Sequence, residues 1–230
     1  MINANKKKEI KPGVRRNAER RTEKRREIKK DEADTLTFEI RRKIFHILLG
    51  SILIFLIYKS IIDAEIIFFI LIFGIILSLI CRKYNVLVIS KALEFFDRKE
   101  HTKQFPGRGV IFFFIGVLLV IKLFPEDIAL ASIAILTIGD SLSHIFGLYF
   151  GRTKNFFGND RKMLEGTIFG MIFGFLAAFI FVAWYEALIA SIVAMIAEAV
   201  EFELNKNPVD DNVVVPLVAG TVIILMRIYG

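Results

Sequence analysis

Residues Gly139–Thr167 read GDSLSHIFGLYFGRTKNFFGNDRKMLEGT. The stretch opens inside an apolar segment on an aspartate, Asp140, well away from either end of that segment. An ionisable side chain within a spanning helix is costly to keep in hydrocarbon and marks a functional site by default. Past Asp140 the chain runs through small residues into a basic, glycine-punctuated loop and closes on Glu165-Gly166-Thr167. A carboxylate, a basic glycine-rich loop and a second carboxylate predict a divalent metal ion carrying a phosphorylated substrate at a membrane surface.

The segment around Asp140 is one of several. With 55% of its 230 residues hydrophobic, the chain is more apolar than a soluble domain. Apolar runs near bilayer-spanning length fall at 44–62, 66–80, 109–124, 128–150, 167–184, 187–200 and 213–229. They predict an all-α, polytopic integral membrane bundle over 41–230, with seven transmembrane helices. Residues 1–40 form a basic cytoplasmic tail whose alternating charges allow helix from about Asn17 to Ala33 without an apolar stripe to bury. No cleavable signal peptide is expected, because the first 43 residues are polar. The single cysteine, Cys81, excludes an internal disulfide, and three scattered histidines form no zinc pattern.

Charge sets the orientation. Every Lys and Arg except Lys59, Lys122 and Arg227 lies in 1–43, 81–108, 151–166 or 201–212. By the positive-inside rule those segments face the cytoplasm, with the N-terminus in and the C-terminus out. The net charge of +7 is thereby assigned to anionic lipid surfaces, and no nucleic-acid partner is expected. Trp184-Tyr185 and Tyr229 fall at outer ends, as an interfacial aromatic belt requires. The polar clusters gather on the inner side: Arg41-Arg42-Lys43 with His46, Pro106–Gly109, Asp140–Thr167 and Glu198–Asn212. The outer half reads as nearly free of polar residues.

Asp140 and His144 share a helix face, beside a stripe of small residues at Gly139, Ser143, Gly147 and Gly151. Such a stripe admits a neighbouring helix or a ligand. Arg152, Lys154, Arg161 and Lys162 surround the loop glycines and could wrap phosphates. Glu165 stands just before a membrane segment and could ligate Mg²⁺. Glu198 lies within an apolar run, whereas Asp211-Asn212 reads as a helix N-cap, with Pro216 expected to break that helix a turn in. His46 follows Arg42 by one turn, with Gly50 a turn further on, which suggests an anion site. There is no G-x-x-x-x-G-K-[ST], no protein-kinase signature set and no G-x-S-x-G.

Four motifs in this order carry a resemblance: RRKIFHILLG (41–50), GDSLSHIFGLYFGRTK (139–154), KMLEGT (162–167) and EAVEFELNKNPVDDNVVVPL (198–217). Together they resemble the CTP-dependent lipid kinases, namely dolichol kinase, phytol kinase and the CTP-using diacylglycerol kinase, over residues 40–230. Two of the motifs are also similar to those of phosphatidate cytidylyltransferases. The resemblance implies CTP as phosphoryl donor, Mg²⁺ as cofactor and a membrane lipid alcohol as acceptor, at a cytoplasm-facing site. It makes Asp140, Glu165 and Glu198 metal ligands. It makes Arg42, Lys43, Gly151, Arg152, Lys154, Lys162 and Asn212 the nucleotide and phosphate contacts. Asp140, His46 and Asp211 remain open alternatives for the catalytic base. Ser143-His144 depart from the small apolar residues usual after the aspartate. A cytidylyltransferase making a CDP-lipid, and a small transporter with Asp140 lining its pathway, are the alternatives.

Overall fold

A computed structural model of the chain describes residues 12–83, 105–155, 162–200, 203–204 and 207–230, with side chains described from residue 35 onward except over 203–208. His101, Arg161, Glu201 and the Glu203 side chain lie outside the described residues. Met1–Phe38 and Glu39–Gly230 are separate compact units, and the second carries everything below.

Seven helices are found among the described residues: α1 Pro12–Tyr58, α2 Ala64–Lys83, α3 Arg108–Leu123, α4 Glu126–Phe150, α5 Leu164–Ala178, α6 Trp184–Ala199 and α7 Asp211–Tyr229. A two-residue antiparallel pair, β1 Glu203–Leu204 with β2 Asn207–Pro208, precedes α7. Helices α2, α4 and α7 are long and apolar enough to cross a membrane, which marks the chain as a helical membrane protein. Their burial differs sharply: 78% of the apolar window of α4 is buried, against 17% for α2. An apolar helix with so little protein around it needs lipid as its solvent. The central helix is therefore α4, the one that carries Asp140.

In lipid no hydrophobic gain draws helices together, so close packing of small residues has to do it. Gly139, Ser143 and Gly147 of α4 meet Gly166, Gly170 and Gly174 of α5 in this way. A Cβ on Gly166 would overlap the Ser143 carbonyl oxygen, and one on Gly170 would stand 2.8 Å from the Ser143 Cβ. The small-residue stripe is thus filled by a helix rather than a ligand. Within α4, Ile135–Asp140 is a π segment that ends on Asp140 itself. Such wide turns recur at functional sites.

Several element ends differ from the sequence expectation. Helix α1 stops at Tyr58 because Ser60 turns to a left-handed φ of 52°, and the Asp63 carboxylate then accepts from the Ile66 amide to start α2. Helix α5 stops at Ala178, and α6 starts at Trp184 with the Glu186 carboxylate accepting from the Ala183 amide at 3.1 Å. Asp210, not Asp211-Asn212, caps α7 by accepting from the Asn212 amide at 3.2 Å. Pro216 does not break α7. It lacks the N–H that would reach the Asn212 carbonyl one turn back, and that oxygen instead lies against Gly116 of α3, where any Cβ would overlap it.

The end expected to be barren carries a clamp. Arg227 of α7 donates to Glu186 of α6 at 2.7 and 3.0 Å and pairs with Asp127 of α4 at 2.7 Å. These residues lie at the start of α4, the start of α6 and the end of α7. That geometry sets α7 antiparallel to α4 and α6, and it brings Glu198 and Asp211 together at the other end.

Candidate functional site

On α1 the exposed side chains Ile44, Leu48, Ile52 and Phe55 follow one face, while Glu39, Lys43, Leu53 and Ile57 are buried on the other. The helical period thereby turns Lys43 inward onto α4. Its Nζ meets the Asp140 Oδ2 at 2.5 Å, both groups buried. Gly50 lies two turns further along α1, against the Thr137 side chain. His46 lies between these two rungs and packs edge-on to the Phe113 ring at 4.6 Å; its Nε2 is buried with no hydrogen-bond partner among the described residues. Glu39 adds a third contact of α1, accepting from Arg42 at 2.9 and 3.1 Å and meeting His144 Nε2 at 3.2 Å.

The second half of the site is built by the chain leaving α4. The Asn155 amide donates to the Lys162 carbonyl at 3.1 Å and the Leu164 amide to the Thr153 carbonyl at 3.0 Å, so the two limbs of the 151–163 loop pair back on each other. That closure fixes Lys162 beneath α6 and α7. Its Nζ meets Glu198 Oε1 at 2.6 Å and Asp211 Oδ2 at 2.8 Å, and donates to the Glu198 carbonyl at 2.6 Å. Burial alone would lower the Lys162 pKa. The charges of Glu198, Asp211 and, beyond them, Asp140 outweigh it and raise the ammonium above its ordinary value. The field of Asp140 reaching Lys162 makes the two halves one electrostatic unit. Beside them burial pushes the Asp210 carboxyl up from the usual range, against the opposing hydrogen bond from Asn212.

The buried Lys43–Asp140 contact and the part-buried Lys162–Glu198 contact are weak evidence of stability, because desolvating the partners offsets most of their attraction. They are better understood as charge held ready in a dry place. The arrangement can fix anionic oxygens near a buried hydroxyl or imidazole, and it can hold a cation where a lysine now stands.

The expected metal trio does not assemble. Among the described residues no three of His, Cys, Asp or Glu are grouped to hold a metal ion. Asp140 meets Lys43, Glu198 meets Lys162, and Glu165 accepts from the Thr153 amide at 3.1 and 3.2 Å, which makes Glu165 a loop anchor. A smaller set does fit Mg²⁺, which takes one or two carboxylates plus phosphate oxygens. Glu198 and Asp211 converge on one ammonium, and Glu198 Oε2 is buried without a hydrogen bond.

Of the expected anion contacts, Lys43 and Lys162 face the site and Arg42 lies one residue away on Glu39. Arg152 and Lys154 are exposed on the adjoining loop. Gly151 is corrected to a packing role: its amide donates to the Gly147 carbonyl at 3.0 Å and the Met163 side chain covers it. Asn212 likewise uses its side-chain amide on Asp210 Oδ1 at 2.8 Å and on the Gly109 carbonyl at 3.4 Å. Glu39 escaped the sequence reading, although its Arg42 partner three residues on is an ordinary helical pairing. Thr137 and Ser141, both fully buried beside Asp140, escaped it too.

Two relatives match most of this chain. An uncharacterized protein of Methanocaldococcus jannaschii, MJ1137, is 30% identical over 189 residues, spanning 80% of this chain and 92% of that protein. An uncharacterized protein of Rickettsia prowazekii, RP860, is 27% identical over 195 residues, spanning 81% of this chain and 93% of that protein. No family model matches the chain, and no solved structure matches it. The chain belongs to the family of the Methanocaldococcus protein.

Proposed function

We propose that this chain, and with it the family it shares with the Methanocaldococcus protein, is a multi-pass membrane phosphotransferase that moves the γ-phosphoryl group of CTP to a lipid alcohol at the cytoplasmic face. One observation carries the reading: the buried Lys43–Asp140 contact and the Lys162–Glu198/Asp211 contacts, of which only Glu198 is fully buried, lie at one end of the helices, beside an imidazole nitrogen with no partner among the described residues. Phosphoryl transfer requires positioning and charge neutralisation more than covalent chemistry, and these groups supply both. CTP as donor and the lipid class as acceptor come from the four-motif resemblance.

In this account Lys162, Arg152 and Lys154 neutralise the triphosphate, and Lys43 holds Asp140 in place beside the transferring group. Mg²⁺, when bound, would offset charge on the β- and γ-phosphate oxygens, with Glu198 and Asp211 as its protein ligands. The acceptor oxygen bonds to the γ-phosphorus as the bond to the β–γ bridging oxygen breaks. CDP departs with that electron pair, and the hydroxyl proton passes to a base. His46 is the base we select, because its Nε2 is not already hydrogen-bonded whereas Asp140 and Asp211 both hold lysines.

The cation distribution supports a cytoplasmic site and seven spans. The Asp127–Glu186–Arg227 clamp does not revive transport. Both carboxylates pair with Arg227, and a fully buried apolar layer of Ile133, Leu136, Ala190, Ala219 and Ile223 belongs to the same three helices. Product analysis tests the reading. Purified protein with Mg²⁺, CTP and a panel of polyprenol, geranylgeraniol and diacylglycerol should release CDP in step with lipid phosphate. Pyrophosphate released on supplying a phosphorylated lipid would instead assign a cytidylyltransferase.

A further inference from the structure

Three buried helical serines among the described residues bond to a backbone carbonyl. Ser132 donates to the Ile128 carbonyl at 2.7 Å, Ser191 to the Met171 carbonyl at 2.8 Å and Ser78 to the Pro106 carbonyl at 2.6 Å. Thr137 and Ser141 differ. Both are fully buried, and neither hydroxyl has a hydrogen-bond partner among the described residues. Thr137 lies in the π segment of α4 and Ser141 directly follows it, so the i−4 ladder that usually takes such a hydroxyl is shifted. A buried polar group without a partner is destabilising, and its persistence asks for a ligand.

Their position says which ligand. The Thr137 side chain rests on Gly50 of α1, and Ser141, next to Asp140, lies on the loop side of it, toward the Lys43–Asp140 rung. His46 Nε2, equally unpartnered, comes from the α1 turn between Gly50 and Lys43. Because α1 and α4 are paired at Gly50–Thr137 and at Lys43–Asp140, the first rung lies deeper among the apolar segments than the second. A triphosphate arriving from water meets the lysines. A long apolar chain arriving through lipid, with one polar end, meets the deeper rung.

We propose that Thr137, with His46 Nε2, forms the subsite that holds the hydroxyl of a long-chain lipid alcohol, with Ser141 at its edge toward the lysines. This deepens the phosphotransferase reading and rests on it for the reaction, though not for the binding. The Thr137 hydroxyl accepts from, or donates to, the alcohol oxygen; the rest of the lipid lies in hydrocarbon. A hydroxyl-specific subsite rejects the same chain lacking its hydroxyl.

The test uses the full-length protein in detergent, without nucleotide, and compares radiolabelled geranylgeraniol with its hydrocarbon counterpart. The wild type should bind the alcohol preferentially, and Thr137→Val should lose about tenfold of that preference, the weight of one hydrogen bond. Thr137→Ser should keep it. Thr137→Val should melt no lower than wild type, because the hydroxyl it removes has no partner. Equal binding of alcohol and hydrocarbon by the wild type, or an undiminished preference in Thr137→Val, would overturn the subsite. So would a lower Tm in Thr137→Val, which would reveal a structural bond. Alcohol preference lost in the variant, in a protein that phosphorylates no lipid, would keep the subsite and remove the phosphotransferase. Phosphorylation with an unchanged KM for the alcohol in Thr137→Val would keep the enzyme and remove the subsite.

Discussion

Lys43 and Asp140 are 97 residues apart in the chain and 2.5 Å apart in the fold, both buried. A lone charge left behind in that environment is the costly case. Lys43→Met should therefore destabilise the protein by about 3–5 kcal/mol, as breaking a buried pair does. The double variant Lys43→Met/Asp140→Leu should recover most of that loss and remain inactive. Chemical or thermal unfolding of the four proteins in one detergent gives the cycle. If Lys43→Met alone is neutral, the pair is not buried as described. Lys162 gives a pH signature. Its folded pKa is raised above the unfolded value, so its contribution is fully present below about pH 10.4, the ordinary lysine pKa. It is lost as pH rises through the folded value, since the unfolded chain releases the proton first. Thermal midpoints should therefore fall more steeply above pH 10 in the wild type than in Lys162→Met.

At the scale of helices, the period of the letters gave the segments and the letters alone could not give their ends. Phe179–Ala183 (FIFVA) is as apolar as a helix interior, so the boundary between α5 and α6 is hidden in composition. The Glu186 carboxylate on the Ala183 amide sets it. Apart from Glu39, the carboxylates and cations that meet at this end were legible because ionisable residues beside apolar runs are conspicuous. Which of them pair was not, since Lys43 with Asp140 and Lys162 with Glu198 are tertiary choices. The π segment left no letter-level trace, and Thr137 and Ser141 with it. Pro216 misled for a definite reason: the carbonyl it leaves without a helical donor is accommodated by Gly116 on another helix. Gly116→Ala should push α3 off α7 and cost about 1–3 kcal/mol, as overpacking does. Unfolding of that variant checks it, and an unchanged stability would mean that the contact is loose.

The Glu39–Gly230 unit is polarised. One end joins Lys43, Asp140, Lys162, Glu198 and Asp211; the other carries the Asp127–Glu186–Arg227 clamp. Helix α4 is buried at the centre and α2 faces outward; in the proposed reading, water lies at the lysine end and lipid at the sides. Topology follows. With Cys81 replaced by Ser, single cysteines at Lys154 and at Lys122 should be labelled by an impermeant maleimide from opposite sides of sealed vesicles. Labelling from one side would break the orientation. The central claim is phosphoryl transfer itself, and γ-³²P-CTP with Mg²⁺ and a mixed lipid-alcohol panel measures it most directly. The account predicts label in an organic-phase lipid with wild type and none with Asp140→Asn. Label in lipid that persists in Asp140→Asn, or no labelled lipid from folded wild type with any alcohol, would contradict it.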